Sequence, residues 1–258
     1  MIQISNIDQI AVIEFDYGKV NALDLEFCRS VNAALNRLVE DSFEGGAGNG
    51  AVAKGLVIGT ARSVFSAGID LKRFLAEDKG YITPFLEEME RLFRNILTCP
   101  MPVVADISGP AIAGGCMIAA AGDFRVIAQD AKMGILESRL GVALPMTAIE
   151  LMRHVATPTA FKKIISTGAT FVGQQAVESG LADAVGTSGD TREMAIQAAL
   201  QLIELPQNAF RFTKQQRLGP VLRNIEENKK QLYDEYLKIW CSQETRHAVQ
   251  NYVDKRLS

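Results

Sequence analysis

The segment from Ser108 to Glu137 constrains the fold of this chain more than any other, because two glycine turns, an apolar helix and an acid follow one another in it. Gly109-Pro110 ends a predicted buried strand, and Gly114-Gly115 opens the apolar helical run CMIAAAG. Paired glycines at a helix start let a ligand approach the backbone closely, since no Cβ stands in the way. The first N–H groups of the helix have no partner inside it, so they can donate to an anion or a developing oxyanion.

One carboxylate, Glu137, follows in the short apolar turn MGILES. Proton abstraction next to a carbonyl requires an acid or base, together with a donor that stabilises the negative charge that develops. The N–H groups at Gly114 and the carboxylate of Glu137 supply these two parts. The segment therefore indicates an enzyme that forms an enolate.

Apolar strands alternate with amphipathic helices through the first half of the chain, which predicts an α/β layer with right-handed crossovers. The predicted strands are Ile10–Asp16, Gly55–Thr60, Pro102–Ser108 and Phe124–Ala128. Helices are predicted after Asp24, which can cap the first of them, and over Tyr81–Leu97. The polar, Gly-rich stretch Glu40–Lys54 is predicted to be a flexible loop without an assigned function.

From Pro145 onward the pattern is mostly helical, interrupted by a short strand-like run at Leu181–Gly186. The last helices are predicted near residues 191–205, 208–216, 221–240 and 243–252. We therefore divide the chain into an α/β core, residues 1–189, and a helical C-terminal region, residues 190–258.

Charge and composition exclude several classes of function. A net charge of −3 argues against nucleic acid and anionic membranes as partners, and no apolar run approaches the length of a membrane span. The four cysteines follow no metal-ligand spacing and, with an N-terminus that lacks a targeting pattern, indicate a cytoplasmic protein. His154 and His247 have no partner spacing for a catalytic triad or a metal site.

Three motifs in order resemble the crotonase superfamily, also called enoyl-CoA hydratase/isomerase. They are FSAGIDLK (Phe65–Lys72), SGPAIAGGCM (Ser108–Met117) and GILESRLG (Gly134–Gly141), and the likeness continues to TGATFVGQQAVESGLADAV (Thr167–Val185). The resemblance implies an α/β fold of crotonase type, a spiral of ββα turns with a helical C-terminal trimerisation region. It also implies a homotrimer or a hexamer made of two trimers.

The resemblance implies an acyl-CoA thioester substrate, with coenzyme A as part of the substrate and no separate cofactor or metal. By motif position, the backbone N–H groups of Ile69 and Gly114 form the oxyanion hole, and Glu137 is the acid/base. Losing one such donor typically costs about 100- to 1,000-fold in rate. The segment Ser66–Asp70 would wrap the pantetheine and adenine end of the substrate. The substrate-binding residues implied in this way are Ser66, Ala67, Gly68, Ile69, Asp70, Lys72, Gly114, Met117 and Leu136.

One position departs from the hydratase pattern. Hydratases of this family carry a second glutamate where this chain has Met117. Water addition uses two carboxylates, whereas one carboxylate can move a proton from C2 to C4. The local sequence GGCM…GILESRLG resembles the mitochondrial-type Δ3,Δ2-enoyl-CoA isomerases, so isomerisation is favoured. We expect Met117 to exclude water and so to raise the pKa of Glu137 by desolvation.

Several alternatives stay open at this point. The chain could be an enoyl-CoA hydratase that recruits a substitute acid. It could also be another single-glutamate member, such as a carboxymethylproline synthase that forms a C–C bond from the enolate, or a non-catalytic CoA-binding subunit. Asp123 is interpreted as a structural residue. Glu150 is interpreted as part of a solvated helix face, with an auxiliary acid as the alternative. Lys72 could meet a CoA phosphate or simply be solvated.

Overall fold

The computed structural model describes residues 2–43 and 52–256. The described residues form nine strands: β1 (Ile2–Ile7), β2 (Ile10–Phe15), β3 (Gly55–Thr60), β4 (Val103–Ile107), β5 (Ala111–Ile112), β6 (Phe124–Ala128), β7 (Lys132–Gly134), β8 (Thr170–Val172) and β9 (Ala184–Gly186). They also form eleven helices: α1 (Leu25–Phe43), α2 (Leu71–Ala76), α3 (Lys79–Leu97), α4 (Gly114–Ala120), α5 (Glu137–Leu140), α6 (Met146–Val155), α7 (Pro158–Thr167), α8 (Gln174–Glu178), α9 (Thr191–Glu204), α10 (Gln207–Trp240) and α11 (Gln243–Arg256).

The larger sheet has the strand order β1-β2-β3-β4-β6-β9. Its first pair is antiparallel and the other pairs are parallel. Every residue of β3 and β4 is buried, which explains why these strands are continuous apolar runs in the sequence. The predicted α/β class is confirmed, and the predicted strands Gly55–Thr60 and Phe124–Ala128 have the observed bounds.

A smaller sheet of β5, β7 and β8 brings the two halves of the candidate site together. Strand β5 pairs in parallel with β7, and Ile112 faces Gly134 in that register. The residues after β5 lead to Gly114, and those after β7 lead to Glu137. A short ladder therefore fixes the position of the glycine pair relative to the carboxylate.

Helices cover both faces of the larger sheet. The helices α1 and α3 bury one amphipathic face each in the main core, and Asp24 caps α1 as predicted, accepting from Phe27 N at 2.7 Å. On the other face, α9 packs its small residues Ala195 and Ala199 on four valines of the sheet: Val12, Val57, Val104 and Val126. Arg192 of α9 adds an ion pair of 2.6 Å to the buried Asp106 of β4. The division at residue 189 stays a prediction.

Two predicted helices, near residues 208–216 and 221–240, are one continuous helix, α10. The break expected at Gly219-Pro220 was wrong. Pro220 removes one backbone donor, but Leu218, Val221 and Ile225 are buried around it, so tertiary packing holds the helix together. Of the predicted loop Glu40–Lys54, the first residues are the end of α1, and residues 44–51 lie outside the described part.

Candidate active site

The glycines of the central segment are required by close packing. A Cβ on Gly114 would lie 2.8 Å from Leu23 Cδ2, and one on Gly115 would lie 2.5 Å from the carbonyl oxygen of Ser66. The first residues of α4 therefore lie directly against the loop that carries Ser66. A side chain at Gly115 would push α4 away from this loop, whereas one at Gly114 would meet the flexible end of the Leu23 side chain.

The predicted oxyanion donors, the N–H groups of Ile69 and Gly114, lie on this loop and at the start of α4. Leu23 donates to the carbonyl of Gly68 at 2.8 Å and accepts from Asp70 N at 2.9 Å, so the N–H of Ile69 between them points to the opposite side. Gly114 is the first residue of α4, and a Cβ built on Gly68 would lie only 3.3 Å from its nitrogen. Within the described ranges, neither the Ile69 nor the Gly114 N–H has a hydrogen-bond acceptor.

Ala113, directly before α4, has a backbone conformation that L-residues rarely adopt, with φ 54° and ψ −120°. Its N–H donates to the carbonyl of Gly134 at 2.8 Å, which holds it in place. A strained backbone persists only where the surroundings over-determine it, and such residues cluster at functional sites. The strain at Ala113 sets the direction of the Gly114 N–H.

Glu137 is a buried carboxylate at the start of α5, with 2% of its surface exposed. Its Oε2 has no hydrogen-bond partner in the part of the chain that the structure describes. Burial raises the pKa of Glu137 to about 7, while backbone N–H groups of Glu137 and Leu136 act in the opposite direction. No charged side chain contributes to this raised pKa. Burial alone therefore gives the carboxylate a proton affinity suited to acid–base chemistry near neutral pH.

The surroundings of Glu137 on α4 are apolar. Met117 is fully buried one turn after Ala113, to whose carbonyl its N–H donates at 3.1 Å. The adjacent Cys116 is also buried, and burial followed by the charge of Glu137 raises the pKa of its thiol. The expected direction for the pKa of Glu137, upward by desolvation, is confirmed.

Most of the remaining predicted substrate-binding residues flank Ile69 in sequence, whereas Leu136 directly precedes Glu137. Ser66 is buried, donates to Asn21 O at 2.7 Å and accepts from Gly68 N at 3.2 Å. Asp70 caps α2 by accepting from Arg73 N, as expected of a residue that stabilises the loop. Ala67 and Lys72 are exposed, while Ile69 and Leu136 are half-buried. Their contacts with a substrate stay predictions.

Asn21 is a supporting residue that the sequence reasoning missed. It is fully buried with φ 47°, and its side-chain amide donates to Thr60 Oγ1 and to the carbonyls of Val64 and Phe65. These bonds fix the chain directly before Ser66. The signal was available, because asparagine is the side chain that best tolerates this conformation in a turn.

Two other acids, Asp123 and Glu150, hold helix α10 to the core. Asp123 accepts from Val103 N and from Lys214 of α10, the latter at 2.6 Å, which confirms its structural interpretation. Glu150 is buried and not part of a solvated face, so that interpretation was wrong. Its carboxylate accepts from Asn224 of α10 at 2.9 Å, which explains the burial.

The described residues contain no group of three or more His, Cys, Asp or Glu side chains that could hold a metal ion. In the same residues, no helix combines the length and the apolar character needed to cross a membrane.

Comparisons with known proteins agree on one family. A family model described as enoyl-CoA hydratase/isomerase matches residues 6–258. The human mitochondrial enoyl-CoA delta isomerase 1 is 26% identical over 80% of this chain and 66% of its own length. A probable enoyl-CoA hydratase of Bacillus subtilis is 27% identical over 97% of this chain and 95% of its own length. The crystal structure of a probable enoyl-CoA hydratase from Mycobacterium tuberculosis superposes with a TM-score of 0.83 at 29% identity, covering 91% of this chain and 95% of that one.

Proposed function

Since this chain belongs to the enoyl-CoA hydratase/isomerase family, we propose that it moves the double bond of an acyl-CoA thioester from Δ3 to Δ2. Glu137 is the sole acid/base, and the N–H groups of Ile69 and Gly114 bind the thioester oxygen. Coenzyme A is part of the substrate and not a separate cofactor.

The reaction is a 1,3 proton shift. The ionised carboxylate of Glu137 takes a proton from C2, and the electron pair of that C–H bond is delocalised onto the thioester oxygen as a dienolate. The two N–H groups stabilise this oxygen because their hydrogen bonds strengthen as its charge grows. The protonated Glu137 then returns the proton to C4, and the dienolate collapses to the 2-enoyl product. No water or external redox partner is consumed.

The observation that carries this proposal is the isolation of Glu137 from other carboxylates. Met117 stands where a hydratase of this family has its second glutamate, and burial, not a second charge, raises the pKa of Glu137. Adding water requires one group for the water and another for the proton at C2. A single carboxylate with an apolar neighbour suits a proton shuttle better.

The test uses 3-enoyl-CoA and 2-enoyl-CoA with the wild type and with Glu137→Gln. We expect the wild type to convert the 3-enoyl substrate and to hydrate the 2-enoyl substrate much more slowly, and Glu137→Gln to lose isomerisation. Hydration as the faster reaction would establish the hydratase alternative, which the Bacillus relative favours. Binding without turnover of either substrate would establish a non-catalytic CoA-binding subunit or a different enolate reaction, including C–C bond formation.

We further propose that the chain is a cytoplasmic homotrimer or a dimer of trimers, assembled through its C-terminal helices. Phe212, Leu232 and Ile239 are exposed apolar residues of α10 and supply surface for such contacts. Light scattering coupled to size-exclusion chromatography distinguishes three copies from six. A monomer at micromolar concentration would contradict the proposed assembly.

A further inference from the structure

The C-terminal helices reach the segment that carries Glu137. Trp240 of α10 donates from its indole nitrogen to the carbonyl of Ala143 at 3.1 Å, and a Cβ on Gly141 would lie 3.0 Å from the Cβ of Ala248 in α11. Trp240 also packs edge-on against Phe74 of α2, with the ring centroids 5.6 Å apart. Helix α10 therefore packs on the segment that directly follows α5, the helix that begins with Glu137.

Tyr236 lies one turn before Trp240 on the same helix, and its ring packs against the indole at 6.0 Å between centroids. Only 2% of the residue is exposed, and its hydroxyl has no hydrogen-bond partner in the described residues. A buried hydroxyl without a partner is destabilising, so such groups call for a functional or structural explanation. The Oε2 of Glu137 is also without a partner in these residues.

The charges around Tyr236 keep its hydroxyl in the form that can donate. Burial raises the pKa of Tyr236 well above its ordinary value, and the carboxylates of Glu90 and Glu137 raise it further. Glu90 of α3 is already bonded to Thr147, whose N–H and hydroxyl both donate to it. In the described residues, the Oε2 atom of Glu137 is therefore an acceptor without a donor, and the hydroxyl of Tyr236 is a donor without an acceptor.

The other polar groups near Glu137 are engaged or neutral. Cys116 on α4 is a neutral thiol because burial raises its pKa. Arg139 on α5 donates to the carbonyl of Thr167, and Arg246 on α11 donates to the carbonyls of Leu75 and Glu77. Neither arginine affects the pKa of Glu137.

We propose that Tyr236 is a positioning residue: its hydroxyl donates to the ionised carboxylate of Glu137, directly or across one water molecule, and orients the free oxygen toward the acyl group. The bond forms when Glu137 loses its proton, because an anion is a far stronger acceptor than a neutral acid. This inference rests on the proposed role of Glu137, and it adds a residue from the C-terminal region to the site.

The test is Tyr236→Phe, with Tyr233→Phe as the matched control. Tyr233 lies on the same helix, but its hydroxyl donates to the exposed Glu87. We expect Tyr236→Phe to raise the pKa of Glu137 by about one unit and to lower kcat several-fold at pH 6.5 with little change in KM. Carbon NMR of glutamate-labelled protein measures this pKa, with the Glu137 signal assigned by its loss in Glu137→Gln.

The NMR titration needs no turnover, so it separates this inference from the proposed reaction. An unchanged pKa in Tyr236→Phe would overturn the inference even if the enzyme were an isomerase. A raised pKa in a protein without isomerase activity would overturn the proposed reaction alone. At pH 5, where Glu137 is protonated and the proposed bond is not formed, Tyr236→Phe should unfold at the same temperature as the wild type or higher.

Discussion

The N–H of Ala113 donates to the carbonyl of Gly134 at 2.8 Å, and this one bond joins the two chemical halves of the site. Ala113 precedes the amide that is proposed to bind the thioester oxygen, and Gly134 precedes the carboxylate by three residues. The distance between the oxyanion donor and the acid/base therefore depends on a rigid backbone ladder and not on flexible side chains. Such preorganisation is what stabilisation of a developing charge requires.

The rate should depend on pH through Glu137, which must be ionised to accept a proton from C2. Because burial raises its pKa to about 7, we expect kcat/KM for 3-enoyl-CoA to rise with pH through a single step near 7, or about one unit lower if Tyr236 stabilises the anion. A pH series of initial rates measures this. A step near 4.5, the ordinary value for a glutamate, would mean that the carboxylate is solvated in the free enzyme.

The same buried acid should make the fold less stable as pH rises. Below pH 4.5, Glu137 is protonated in both the folded and the unfolded chain, so it has no effect on the difference between them. Between 4.5 and about 7 the unfolded chain ionises first, and the free energy of unfolding falls. Glu137→Gln is neutral throughout, so we expect it to stabilise the protein by up to about 3 kcal/mol at pH 8 and not at pH 4.

Urea denaturation at the two pH values measures this difference. Glu204→Gln is the control, because Glu204 is exposed at the end of α9 and should show no pH-dependent gain. Equal stability of wild type and Glu137→Gln at pH 8 would contradict the raised pKa.

Replacing Gly114, the first residue of α4, by alanine should lower the catalytic rate far more than the stability of the fold. Gly114→Ala would place a Cβ 2.8 Å from Leu23 Cδ2, a flexible side-chain end, so the fold should adapt by moving α4 slightly. Because an oxyanion donor acts only at the right position, we expect kcat to fall by about 100-fold with a modest loss of stability. Gly189→Ala is the control, since the nearest atom to its Cβ is 3.9 Å away. Full activity in Gly114→Ala would exclude this N–H from the site.

Particular residues show which parts of the candidate site could be predicted from the sequence. Gly114 and Glu137 could be predicted because they lie in a short segment whose chemistry is local, and Ile69 because the family resemblance implies it. Asn21, and Tyr236 with its proposed role, were missed because their contacts are with residues far along the chain. Asn21 donates a hydrogen bond to the carbonyl of Phe65, 44 positions later, and Tyr236 lies 99 positions after Glu137. Pattern and propensity describe neighbours in sequence, and such long-range pairs follow only from the fold.

The predictions of secondary structure and burial that were wrong or missing failed for the same reason. Two separate helices were predicted on either side of residues 217–220, but burial of the apolar residues that flank Pro220 outweighs the backbone bond that proline removes. Strand β1 has six residues, but all except Ile2 are exposed, so no buried apolar run marks it. Strand β5 has only two residues, and its pairing with β7 defines it. Glu150 looked solvated because its partner, Asn224, comes from a distant helix.

The buried ion pair between Asp123 of the core and Lys214 of α10 should dominate the stability of the C-terminal region. Asp123 and Lys214 are both buried and 2.6 Å apart, so removing one leaves a buried charge without its partner. We expect Asp123→Ala to lower the free energy of unfolding by about 3–5 kcal/mol. The exposed pair of Arg37 and Asp41 is the control, and Asp41→Ala should cost less than about 1 kcal/mol. Similar small losses in both variants would show that Asp123 does not anchor the helix.

Replacing Met117 by an acid tests why this chain has only one. Met117→Glu would bury a second carboxylate on α4. The family resemblance places the second acid of hydratases at this position. We expect the isomerase rate to fall, because a second negative charge nearby raises the pKa of Glu137 and leaves less of it ionised at pH 7. Hydration of 2-enoyl-CoA should rise above the wild-type level, since one group can then handle water while the other manages the proton. Met117→Gln has nearly the same volume without the charge. If it changes both rates as much as Met117→Glu does, side-chain polarity and not a second acid separates the two activities.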